Sequence, residues 1–251
     1  MSGPYYEGSY RRRIRLVATA PDTVEGGLED DFHHFEVTLR HDGMRVVDVD
    51  ARSVRWPWST CPAAAGPLRE LIGMPLSPRC LAVGEHADPH ANCTHMFDLA
   101  GLAVAHAYRG LPTHAISRRQ YDAEVPFGAV EGAPTRVELR RDGEPVLTWT
   151  LQGRGIIDPS QFSGAPWHGG FFRWADRTLP VEAAEAAIVL RRACEIGMGR
   201  GMDLDDIARA EELGDFMDGV CYTMQPGVIG GAVRNKGTIR DFSGSPDALL
   251  E

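Results

Sequence analysis

The chain has 251 residues, a net charge of -9 at pH 7 and 43% hydrophobic residues. A chain of this length buries roughly 70% of its unfolded surface, so it needs no disulfide or metal simply to stay folded. Its acidity repels nucleic-acid phosphate and anionic lipid, and no apolar run reaches the length of a membrane span, so neither nucleic acid nor a membrane is expected as a partner.

Lys236 is the single lysine, and arginine supplies the other basic residues, the usage of a GC-rich bacterial genome. Schiff-base and P-loop chemistry both need a lysine, and no G-x-x-x-x-G-K-[ST] pattern precedes this one. Pyridoxal phosphate and P-loop NTPase activities are therefore not expected. The five cysteines (61, 80, 93, 194 and 221) are odd in number and widely spaced, and the N-terminus shows no signal-peptide pattern. Reduced thiols and a cytoplasmic location follow as expectations.

Taken in order, the chain begins with the basic run Arg11-Arg-Arg13, read as a solvated strand start or an anion-binding arm. Phe35 to Gly43 and Met44 to Arg52 alternate apolar and polar residues about Asp42-Gly43. Thr135 to Gly143 and Glu144 to Gln152 do the same about Asp142-Gly143. Asp-Gly between alternating runs is a strong hairpin signal, because it suits the positive φ values of tight turns. Val24-Glu-Gly precedes the first hairpin and Val130-Glu-Gly the second, and Arg118-Arg opens the second half as Arg11-Arg-Arg opens the first.

The expectation is an α+β fold built from an internal duplication. It has two similar lobes, residues 1–112 and 113–251, each an antiparallel sheet with helices packed on it. The two are packed as one globular unit. Apolar spacing and terminal signals predict helices over 62–73, 94–108, 180–198 and 203–216, with an extended tail from Gly227.

Four clusters carry possible chemistry. In Glu29-Asp-Asp-Phe-His-His-Phe35, strand alternation would put Asp31, His33 and Phe35 on one face, so that Asp31 orients the His33 imidazole. The competing reading is an acidic loop leading into a strand. Arg55-Trp-Pro-Trp-Ser-Thr-Cys-Pro62 offers Trp56 and Trp58 as an aromatic wall. It also places Cys61 at a helix start, where a thiol pKa falls; packing tryptophans and a core cysteine are the alternative. In Asn92-Cys-Thr-His-Met-Phe-Asp98, His95 and Asp98 share a helix face, with His86 and His90 upstream. Tyr222, in Gly219 to Pro226, is a candidate proton donor or a buried tyrosine.

Together these segments resemble a bacterial family known as a domain of unknown function. The motifs that carry the likeness are Leu28 to His34, Arg55 to Pro62, Thr94 to Leu99, the helix over Glu185 to Arg192, and Cys221-Tyr222. The resemblance implies an association with breakdown of aromatic compounds. The order of hairpin, cysteine loop and helix over 37–73 is similar to NifU-type iron–sulfur scaffolds. Those use three cysteines, however, and Cys61 alone falls in a comparable place.

The first expectation is a cofactor-independent acid–base enzyme, a lyase or isomerase acting on a small phenolic molecule. Releasing formaldehyde from a lignin-type dimer is one concrete version. His33, His95, Asp31, Asp98 and Tyr222 would be catalytic, and Arg55, Trp56, Trp58, Cys61 and His34 would bind substrate. The alternatives are a metal-dependent hydrolase using His33, His34 and His95, or a non-enzymatic scaffold. A homodimer is a further expectation.

Overall fold

The computed structural model describes residues 7–113, 117–127, 132–153, 155–214 and 217–251. The first half contributes strands β1 (Gly8–Ala20), β2 (Thr23–Asp30), β3 (His34–His41) and β4 (Val46–Arg55). The second contributes β5 (Arg118–Phe127), β6 (Thr135–Arg141), β7 (Glu144–Gln152) and β8 (Gly155–Asp158). All eight join one antiparallel sheet in the order β4-β3-β2-β1-β5-β6-β7-β8. The α+β class expected from the sequence holds. The halves meet along β1 and β5, paired from Gly8 opposite Phe127 to Val17 opposite Arg118.

β1 shows how the sheet sorts its faces. Tyr10, Arg12, Ile14 and Leu16 point into the core, while Arg11 and Arg13 point to the other face. There Arg11 pairs with Glu124 and Arg13 with Asp122 across the β1/β5 seam. Period-two alternation thus splits the basic run: two arginines enter a cross-strand charge ladder and Arg12 enters the core.

Helix α1 (Thr94–Gly110) follows β4, and α2 (Phe171–Thr178) and α3 (Val181–Gly197) follow β8. α1 is buried nearly all round, because the sheet covers one side and the 3-10 turn Cys80–Glu85 crosses the other. The crossing is close: a Cβ on Gly101 would overlap the Cys80 carbonyl oxygen.

Both Asp-Gly turns form where expected, with φ values of 53° at Asp142 and 89° at Gly143 in the second. They hold different places in their halves, however. Asp42-Gly43 joins the third and fourth strands of the first half, whereas Asp142-Gly143 joins the second and third of its own. β2 stands between β1 and β3, while β6 pairs directly with β5. The Val130-Glu-Gly motif that was to mark the second copy falls largely outside the described residues.

Two helix expectations need correction. Residues 62–73 form two 3-10 turns, Cys61–Ala65 and Pro67–Leu71, as two prolines interrupt a regular ladder. Residues 203–214 make short turns, because the backbone of Ala210 and of Arg234 bonds across to Ala232 and Ala208 instead of along a helix; the end of that expected helix lies outside the described residues. The tail from Gly227 is irregular, and it buries Ile239, Phe242 and Leu249.

Candidate functional site

The site begins at the end of β2. Asp30 lies directly opposite Arg12 on β1, and the chain then turns through Asp31 and Phe32 before β3 starts at His34. The Asp30 carboxylate organises that turn. One oxygen accepts the backbone N–H of Phe32 and of His33, both at 2.8 Å, and lies 2.9 Å from His33 Nδ1. The other accepts from Tyr10 Oη at 2.8 Å and Arg12 Nη1 at 3.0 Å. An aspartate that bonds the backbone two and three residues on is a standard turn device. Here it also fixes an imidazole.

α1 brings His95 onto His33. The two rings stack with centroids 3.8 Å apart and planes inclined at 30°, and Phe35 flanks both. The expected convergence of His33 and His95 is therefore present. His95 Nε2 is buried without a hydrogen-bond partner.

The electrostatics follow from burial. Removal from water would raise the Asp30 pKa, but the charge and hydrogen bond of His33, and then Arg12, hold it well below the usual carboxylate range. Tyr10 moves up, through burial and then the Asp30 charge, and stays a neutral donor. His95 moves well down, through burial and then the charges of His33 and Arg12, and stays neutral. His33 Nδ1 donates to the ionised carboxylate, which directs Nε2 away from Asp30.

Asp30, His33 and His95 also offer three ligand atoms within 4.8 Å of one another. The donor chemistry does not favour a cation there. Asp30 already receives five donor contacts, which fill its lone-pair directions, and one comes from a buried guanidinium.

The remaining expected residues lie elsewhere. Asp31 does not orient His33, because the chain turns at 31–33 instead of running as a strand. It meets Arg200, and burial pushes its carboxyl up to about 7 despite that partner. Asp98 pairs with Arg192 at 2.8 Å. His34 sits between Glu29 and Glu36, apart from the stacked pair.

Arg55 holds the turn from outside, donating to the carbonyls of Asp30, Asp31 and His33. Trp58 is buried under Arg234, and the Trp56 carbonyl accepts from Asn235. Cys61 is buried against Thr223, and desolvation pushes its thiol up to about 11, the reverse of a reactive helix-start cysteine. Tyr222 is half-buried, with its N–H on the Asn92 carbonyl. The Trp-Pro-Trp-Ser-Thr-Cys segment thus packs against the C-terminal part of the chain. His90 is tied to the Gly219 carbonyl.

Sequence reasoning missed Asp30, Tyr10 and Arg12. The available signal was Arg12 itself, a charged residue in register with Tyr10, Ile14 and Leu16 on the apolar face of β1. Arg12 also reaches the wall of a cavity of about 540 Å³ between α1, α2, α3 and the Cys80–Glu85 turn.

No helix among the described residues is long and apolar enough to cross a membrane. No curated protein matches the sequence. The expected likeness to a family without an assigned function is present, and no NifU-type likeness accompanies it. The Glu-Asp-Asp-Phe-His-His, Arg-Trp-Pro-Trp and Thr-His-Met-Phe-Asp motifs, with both stacked histidines, fall inside the matched segment. Over residues 18–109 the chain matches the family described as "Protein of unknown function (DUF2889)".

Proposed function

We propose that this protein is an acid–base enzyme, a lyase or isomerase that acts on a small phenolic molecule without an organic cofactor. The observation that carries the reading is the buried Asp30–His33 pair stacked on a neutral His95. Asp30 holds the proton on Nδ1 and leaves Nε2 to take one from substrate; the imidazolium then rests on the carboxylate. In the formaldehyde-releasing version, His33 removes the proton of a hydroxymethyl group. The carbon–carbon bond breaks, formaldehyde departs, and the bonding pair becomes a side-chain double bond as a benzylic hydroxyl leaves with that proton as water.

The test is to incubate purified protein with a phenolic dimer bearing a hydroxymethyl group and to measure formaldehyde and isomerised product. Product that appears with wild type and is lost with His33→Ala supports the reading. No product of either kind from wild type counts against it.

A metal-dependent hydrolase is the second reading: three ligand atoms cluster at Asp30, His33 and His95, and a cation there would have to displace donors from the Asp30 carboxylate. Stoichiometric metal in the purified protein, lost in His95→Ala and required for turnover, would put it first.

The duplication is also proposed, in a weaker form. Each half is a four-strand meander followed by a 17-residue helix, α1 or α3, and this supports descent from one unit. The shifted hairpins then mark strand loss and gain after the copy. Five free thiols fit a reducing cytoplasm.

A further inference from the structure

We propose that the cavity whose wall includes Arg12, the partner of Asp30, holds the ionised group of a hydrophobic carboxylate, and that this is the substrate class of the acid–base site. The inference rests on the proposed function and names the substrate it would take.

The cavity, about 540 Å³, has room for a small organic molecule. Part of its wall is apolar, from residues such as Ile14, Leu102 and Phe172. The rest is charged: five arginines (12, 79, 173, 177 and 192) outnumber three carboxylates, Glu85, Asp98 and Asp176. A hydrophobic body with one anionic end matches that lining.

Two of the arginines are neutralised by the wall itself. Arg79 pairs with Asp176 and Glu85, and Arg192 with Asp98. Arg173 and Arg177, one turn apart on α2 and exposed at the rim, form no ion pair among the described residues.

Arg12 is the residue common to the cavity wall and the histidine cluster. Its side chain is only 1% exposed, and Nη1 serves Asp30. Nε and Nη2 are closed off from water and have no hydrogen-bond partner. Those two N–H groups form one edge of the planar guanidinium, the edge that takes both oxygens of a carboxylate. A buried donor pair left unmade is unfavourable, so a planar anion that displaces the side chains covering Arg12 would gain two hydrogen bonds. It would sit one residue away from the Asp30–His33 pair, since Arg12 bonds the same carboxylate that holds His33. Phosphate would meet the same positive charge, but the apolar wall and the single planar fork favour a carboxylate.

The experiment is calorimetric titration of the full chain with ω-phenylalkanoates from phenylacetate to 6-phenylhexanoate, with their neutral amides, and with inorganic phosphate. At least one acid is expected to bind about tenfold or more tightly than its amide, the usual scale for one charge-assisted pair. Arg12→Gln, checked for folding by thermal melting, should remove the preference for that acid over its amide, and Arg173→Gln combined with Arg177→Gln, which takes the free positive charge from the rim, should weaken the acid by about tenfold. His33→Ala should still bind it.

The proposal is overturned if no acid binds, if acids and amides bind alike, if a folded Arg12→Gln keeps the full preference for the acid, or if the double variant binds as wild type does. Phosphate binding as tightly as the best acid would overturn the carboxylate class. Acid binding by a protein that turns over no phenolic dimer would leave the cavity assignment standing and remove the catalytic one. Turnover of a neutral phenolic dimer with no acid bound would do the reverse.

Discussion

At the scale of single residues, the buried Asp30–His33–His95 group makes two sharp predictions. His33→Ala and His95→Ala are each expected to lower turnover about 10²-fold or more, the usual scale for losing a positioned acid–base group. Both rings are buried, so melting must be measured alongside activity. Two folded variants with full activity would remove the histidines from the mechanism.

The second prediction concerns acid. Unfolded, His95 takes up a proton near its ordinary pKa of about 6.5, whereas the folded chain resists it until well below that value. The unfolded state then holds more protons, so stability falls as pH drops through this window. Asp30, held below its usual range, adds a loss of the same sign below about pH 4. Asp31, raised to about 7, works in the opposite sense over the same window, because there the folded state holds the extra proton, so the His95 contribution is read as a difference between variants. Between about pH 6.5 and 5 the wild type should lose melting temperature relative to His95→Phe, and parallel pH profiles of the two proteins would refute the buried neutral histidine. The histidines themselves were legible as polar groups collected at a strand start and a helix start. Their partner was not, because choosing Asp30 over Asp31 depends on a turn that strand alternation does not anticipate.

At the scale of elements, the close crossing of α1 by the Cys80–Glu85 turn builds one wall of the cavity and depends on Gly101. Gly101→Ala drives a methyl group into backbone that cannot move without shifting the turn. The expected cost is about 2 kcal/mol or more, measured by urea denaturation. Gly84, in the same turn, has open space around its Cβ position, so Gly84→Ala is the control and should change stability by less than about 1 kcal/mol. Equal behaviour of the two variants would show that the crossing is not tight. Elements with strong local signals were readable: both Asp-Gly turns, α1, and α3 bounded by Pro180 formed as expected. The helix expected over 203–216 did not, since its residues lack a continuous apolar stripe and the backbone found partners in 232–234 instead.

At the scale of the whole molecule, the last residues return to the turn that carries His33. Leu250 N–H donates to Glu29 at 2.7 Å, Arg240 N–H donates to the Asp31 carbonyl at 2.8 Å, and Asp241 pairs with Arg200 beside Asp31. Removing residues 238–251 should therefore lower the melting temperature and turnover together. Circular dichroism melting and the formaldehyde assay check this, and a truncated protein with full activity would show that the turn needs no backing. Composition, periodicity and turn chemistry were enough to determine an α+β chain, its Asp-Gly hairpins and its two long helices, because each of these depends on neighbours within a few residues. Tertiary structure alone decided that the halves share one sheet, that Arg12 faces Asp30 across β1 and β2, and that His95 stacks on His33 from 62 positions away. Those outcomes depend on strand register and on how α1 settles on the sheet, which are set by long-range packing and by the need of each buried charge for a partner.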